Sequence, residues 1–179
     1  MKRVLCTVAA IMLATTAFAG TGSKVDDMTP QQAMEKMTNC PVCSVWMADP
    51  ALGASIRHGV GATKNGYAEV LMTNNESMMP AFMKTAAECE KRAAGIPTMA
   101  QDQKDKLCPM CVGHMTLMGR NDVTFENIPT PMGIMMVGTG STPEGVKALH
   151  EYAASSKAFG DKMAQAGMEK AKEPMKSKM

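Results

Sequence analysis

Cys40-Pro41-Val42-Cys43-Ser44-Val45-Trp46-Met47 returns further along the chain as Cys108-Pro109-Met110-Cys111-Val112-Gly113-His114-Met115. Both copies read Cys-Pro-x-Cys-x-x-(Trp or His)-Met, at an offset of 108 − 40 = 68 residues. On a helix the first Cys, the second Cys three on and the Met seven on share one face. Each copy thus gathers two thiols and a thioether along one edge, beside an aromatic ring.

The repeat extends outward from these motifs. Thr29-Pro30-Gln31-Gln32 carries the capping box and early proline of a helix start, and that helix leads into Cys40. Thr98-Met99-Ala100-Gln101 reads as a second capping box before a polar helix that leads to Leu107 and Cys108. After the first motif, 54–63 and 67–73 read as strands separated by Lys64-Asn65-Gly66, a short hairpin signal, with Ile56, His58 and Val60 on one face. After the second, 123–128 and 134–137 flank a longer Pro/Gly turn over 129–133. A helix closes each half: 77–93, with Met79, Phe82, Met83 and Ala86 at helical spacing, and one from Thr142-Pro143-Glu144 that stops near Gly160. Two fewer residues in the second hairpin would bring the closing helices to an offset of 66, pairing Met83 with Leu149, Ala87 with Ala153 and Cys89 with Ser155.

The expected fold is α+β. A duplicated helix–CPxC–β-hairpin–helix unit would form an antiparallel sheet with helices on one face and a pseudo-two-fold axis between the halves. The organisation is read as a signal peptide over 1–19, a first repeat over 20–95, a second over 96–160, and a Met/Lys-rich disordered tail over 161–179. The signal reading rests on Lys2 and Arg3, a short apolar run from Val4, and Ala17-Phe18-Ala19 before Gly20. It implies export to the periplasm or beyond, and no stable membrane span after cleavage. Removing Lys2 and Arg3 leaves 19 − 2 = 17 basic residues against 17 acidic ones, a balance that gives no case for nucleic acid as a partner.

Methionine is the compositional anomaly. Of 21, only Met1 and Met12 fall in the signal, while the rest of the chain holds just five leucines. As a flexible thioether, Met can replace Leu as core filler, and Met72, Met83 and Met135 read that way. Met163, Met168, Met175 and Met179 stand in polar surroundings with no core to fill.

Four readings of the paired motifs compete. Each could close a static disulfide, since an exported protein invites one. Each could be a redox-active dithiol, although no βαβ pattern surrounds it. All four cysteines could meet at the pseudo-symmetry axis and bind one structural Zn²⁺. Or each copy could bind a soft ion, Cu(I) foremost, through Cys40, Cys43 and Met47, or through Cys108, Cys111, His114 and Met115. Trp46 would then offer a cation–π face, and His114 an imidazole that makes the second copy the tighter site. The repeated Met favours this last reading. His58 and His150 read as structural, and Cys89 as a buried inert thiol.

A Cys-Pro-x-Cys start followed by a hairpin and a helix resembles the NosL-like periplasmic copper-binding proteins. Their motif runs Cys-x-x-Cys-Gly-Met, whereas Met47 and Met115 lie four residues after the second Cys. The stretch 133–153 resembles small uncharacterised exported bacterial proteins. The resemblance implies bacterial export and metal handling, with Cys108, Cys111 and Met115 as the carried-over residues. No activated nucleophile or phosphate loop is evident, so the expectation is a non-enzymatic Cu(I) carrier or buffer, with a periplasmic or membrane copper protein as its partner. A structural or interaction protein held by disulfides or zinc is one rival, and a thiol–disulfide oxidoreductase the other.

Overall fold

Two hairpins of equal length build the sheet. The computed structural model describes residues 25–172, so the signal segment and the last methionines, Met175 and Met179, lie outside it. Strands β1 (Ile56–Thr63) and β2 (Gly66–Thr73) pair with Ile56 opposite Thr73, and β3 (Val123–Thr130) and β4 (Gly133–Gly140) pair with Val123 opposite Gly140. The second turn is Pro131-Met132, as short as Lys64-Asn65, and both strands reach it. Pro129 is accommodated because β3 is an edge strand, where a missing N–H need cost no ladder bond. The expected long second turn is therefore corrected: every strand boundary in the second half lies 67 residues after its counterpart (56 + 67 = 123; 73 + 67 = 140).

The sheet order is β1-β2-β4-β3, all antiparallel. Across the central pair Gly66 faces Thr139 and Met72 faces Gly133, with Glu69 opposite Met136. Since 66 + 67 = 133 and 72 + 67 = 139, exchanging the halves leaves this register unchanged. That is the pattern a duplicated unit would produce. The Asn-Gly signal marks the hairpin, but no described residue takes positive φ there. Gly66 is required by close approach instead. A Cβ on it would run into the Gly138 carbonyl, and one on its counterpart Gly133 would run into the Leu71 carbonyl.

The helices cover one face of the sheet. They are α1 (Pro30–Asn39), α2 (Pro50–Ser55), α3 (Met79–Ala94), α4 (Gln101–Lys104), α5 (Pro109–Met118) and α6 (Pro143–Lys172). Among the described residues no helix is long and apolar enough to cross a membrane. The Thr29 capping box of α1 forms as expected. The one expected at Thr98 does not: its hydroxyl donates to the Gly95 carbonyl, and α4 starts after Ala100 without a side-chain cap.

The closing helices also follow the 67-residue offset. Phe82 and Leu149 are both fully buried, and Ala86 and Ala153 both pack in the cores beneath the sheet. Cys89 accordingly corresponds to Ser156 rather than Ser155. Met83 is 43% exposed because Phe82 leads the buried face of α3, and Met72 is 37% exposed because it points to the sheet face that no helix covers. The core-filler expectation fails for both.

α6 does not stop at Gly160. It continues to Lys172, and Phe159 and Ala166 are buried along the way. A mid-helix Gly costs about 1 kcal/mol relative to Ala, and two observations offset that cost. The His58 ring occupies the space where a Gly160 side chain would be, and Lys162 donates to the carbonyls of Asp26 and Met28. The segment from Asp161 to Lys172 is helix packed against α1, with Met163 against the core there, and not a loose tail.

Candidate metal centre

The two Cys-Pro-x-Cys motifs converge. Cys40 is the C-terminal cap of α1, and Cys43 opens a short 3-10 turn over Cys43–Met47. Cys108 caps the N-terminus of α5, with Pro109 in the first helical position and Cys111 in the first turn. Proline shapes both motifs, since its fixed φ suits the start of a helical turn and its missing N–H leaves no orphan donor there. The common helical edge expected for Cys, Cys and Met thus forms in the second copy, while the first copy is a 3-10 turn.

The four sulfurs lie within 4.8 Å of one another, and all four residues are buried. Cys43 Sγ is 3.2 Å from Cys111 Sγ, Cys40 Sγ is 3.7 Å from Cys111 Sγ, and Cys43 Sγ is 3.7 Å from Cys108 Sγ. All are free thiols, and these close approaches cross between the motifs. The backbone N–H of Cys43 donates to Cys40 Sγ at 3.4 Å. A tetrahedral ion with bonds of about 2.3 Å to sulfur sets its ligands about 3.8 Å apart, so the quartet has the dimensions of a tetrathiolate cage.

Electrostatics within the quartet are cooperative. Cys40 is driven far below the usual thiol range, because Cys108, Cys111 and Cys43 hydrogen-bond to it. Cys43 and Cys111 are pushed up, in each case first by Cys108 and also by burial. Thiols bind a metal as thiolates, so a soft cation entering the cage would displace thiol protons. Four buried cysteines in this arrangement could bind a metal ion.

The other expected ligands are placed differently. Met115 packs against the thiol core, whereas Met47 is half-buried in the 3-10 turn and does not. His114 is not brought to the thiols. Its ring lies 4.9 Å from Phe125 and 6.3 Å from Tyr152, on the sheet side of α5, and burial lowers its pKa. Its counterpart Trp46 likewise turns to the sheet side, with its ring 5.3 Å from Phe82. The position three residues after the second Cys faces the sheet in both halves while the thiols face one another. The expectation of two sites, with the His114 copy tighter, gives way to one cage shared by both motifs.

Comparison with family models, with curated proteins and with solved structures found no match.

Cys89 is not the sealed, inert thiol expected from the sequence. It is half-buried and packs against both the thiol core and the core of Trp46, Leu52 and Phe82. The Cys43 thiol foremost, with the Trp46 indole, brings its pKa down to about 7 against the opposing effect of burial. The spacing places Cys89 on the inner side of α3, three residues after Ala86, but carries no signal that this side meets the thiol core. Methionines also collect here. Met28, Met37, Met99, Met110, Met115 and Met163 all belong to or abut the thiol core.

The remaining histidines are structural. His58 Nε2 is 2.7 Å from Glu69 Oε1, which also accepts from the Ser156 hydroxyl at 3.0 Å. His150 Nε2 donates to the Thr63 carbonyl at 2.9 Å.

Proposed function

We propose that the chain is an exported, non-enzymatic soft-metal-binding protein, a carrier or buffer of Cu(I), that holds its ion in the cage of Cys40, Cys43, Cys108 and Cys111. The observation that carries this reading is the convergence of four buried thiols from two distant motifs on one point. Thiolates select soft ions over Mg²⁺ or Ca²⁺. Copper is favoured over zinc by what surrounds the cage. The cores under the sheet are built around Tyr67, Leu149, Trp46 and Phe82, whereas the thiol core is bordered by thioethers and a fifth thiol. Methionine as filler accounts for packing anywhere in the protein, but not for this concentration beside the cysteines. Export, a copper-handling partner and the resemblance to NosL-like proteins belong to the same reading.

One observation favours a second reading. Cys40 and Cys108 are fully buried, and a closed four-sulfur cage suits a structural Zn²⁺. The two readings separate on the reduced protein. A carrier takes up Cu(I) in competition with a moderate chelator and releases it to a stronger one with its fold intact. A structural zinc protein is purified with one Zn²⁺ and unfolds when that ion is removed. Failure to take up Cu(I) under competition would overturn the copper reading.

A further inference from the structure

We propose that the centre holds a second soft ion, framed by Cys43, Cys89 and Met37, with Cys43 bridging it to the ion in the cage. The inference rests on the Cu(I) reading above. Met37 lies one turn before Cys40 on α1, and Cys89 comes from α3. Both residues pack where the thiol core meets the core of Trp46, Leu52 and Phe82. Cys43 belongs to the thiol core that Cys89 packs against, and it is the thiol of the quartet that acts most strongly on Cys89, with the Trp46 indole acting on it as well. α3 is fastened to the first motif by Arg92, which donates to the Pro41 carbonyl at 3.3 Å and to Glu88 at 2.9 Å. Two thiolates and a thioether form a trigonal soft set of a kind that suits Cu(I).

The second half of the protein lacks this set. The counterpart of Cys89 is Ser156, whose hydroxyl is committed to Glu69, and the counterpart of Met37 is Asp105 (37 + 68), whose carboxylate accepts from Gln101. Of the residues packed against the thiol core, Met37 and Cys89 are the two that also pack against the core of Trp46, Leu52 and Phe82. Because thiolates bridge soft cations readily, Cys43 can serve both ions, and each added Cu⁺ offsets buried thiolate charge while the displaced thiol protons leave to solvent.

The test is native mass spectrometry of the full mature chain, reduced and loaded anaerobically with acetonitrile-stabilised Cu(I) in the presence of a weak competing chelator. Two Cu(I) per chain are expected for the unaltered protein and one for Cys89→Ser. Met37→Leu, a volume-conserving change, is expected to lose the second ion at a lower chelator concentration than the unaltered protein does. An end point of one ion in the unaltered protein, or two in Cys89→Ser, would overturn the second site and leave the cage standing. An end point of zero would overturn both.

Discussion

Replacing Gly160 by Ala should destabilise this protein, although the same change in a helix interior ordinarily does the opposite. Gly160 lies within the 30-residue helix α6, where Ala is favoured by about 1 kcal/mol. Here the new methyl would run into the His58 ring. That ring cannot simply swing aside, because Nε2 is held 2.7 Å from Glu69 Oε1, a nearly buried carboxylate that also accepts from Ser156. Overpacking costs about 1–3 kcal/mol, and a buried group that loses its partner costs about 1–3 kcal/mol. Set against the propensity gain, the net loss is about 1–5 kcal/mol. At about 2–4 °C per kcal/mol for a chain of this size, Tm should fall by several degrees or more. Gly167→Ala is the internal control, because a Cβ there meets nothing within 4 Å and the same helix should gain the full propensity term. Thermal unfolding followed by circular dichroism reads both. If Gly160→Ala raises Tm as Gly167→Ala does, α6 does not pack on β1 in the way described.

Other expectations follow from particular contacts. Phe82→Ala removes a fully buried ring from the face of Trp46 and should cost about 3–5 kcal/mol; because Trp46 is the sole tryptophan, a red shift in its fluorescence would report the loosened first motif directly. Asp122 is held down to about 2, first by the Arg120 guanidinium and then by the Thr142 hydroxyl. Its folded-state pKa is depressed, so its contribution is present above the unfolded carboxylate value of about 3.9 and lost as pH falls through about 2. Asp122→Asn should therefore flatten the decline of Tm over that acid window. Oxidation of the metal-free protein should first link Cys43 to Cys111, the closest sulfur pair, and peptide mapping that finds Cys40–Cys43 and Cys108–Cys111 bridges instead would contradict the geometry.

Much of the architecture was legible because it rests on local signals. Asn65-Gly66, the Thr29 box and the Pro143 start each mark an element whose local chemistry suffices to form it. The second turn was misread because Pro129 looks like a loop residue, and only its place on an edge strand makes it compatible with the sheet. Gly160 looked like a stop signal because the partner that makes its missing side chain useful, His58, is a hundred residues away. At the site, the cysteines could be chosen from their repeat, but their number per ion could not, because that depends on which way the two motifs face in the fold. His114 was drawn into the ligand set by its neighbours in sequence. Its ring packs beside Phe125 and Tyr152 instead, a direction set by packing under the sheet.

Whether both motifs build one cage is tested most directly, whichever ion is native, by a Co(II) titration of the reduced protein under argon. Tetrahedral thiolate coordination gives intense sulfur-to-cobalt charge-transfer absorption, which should rise to an end point at one tightly held Co(II) per chain. Cys43→Ser and Cys111→Ser, one from each motif, should each abolish that tetrathiolate signature. An end point at two equivalent sites per chain, or a full-strength site that survives in one motif when the other is changed, would contradict it.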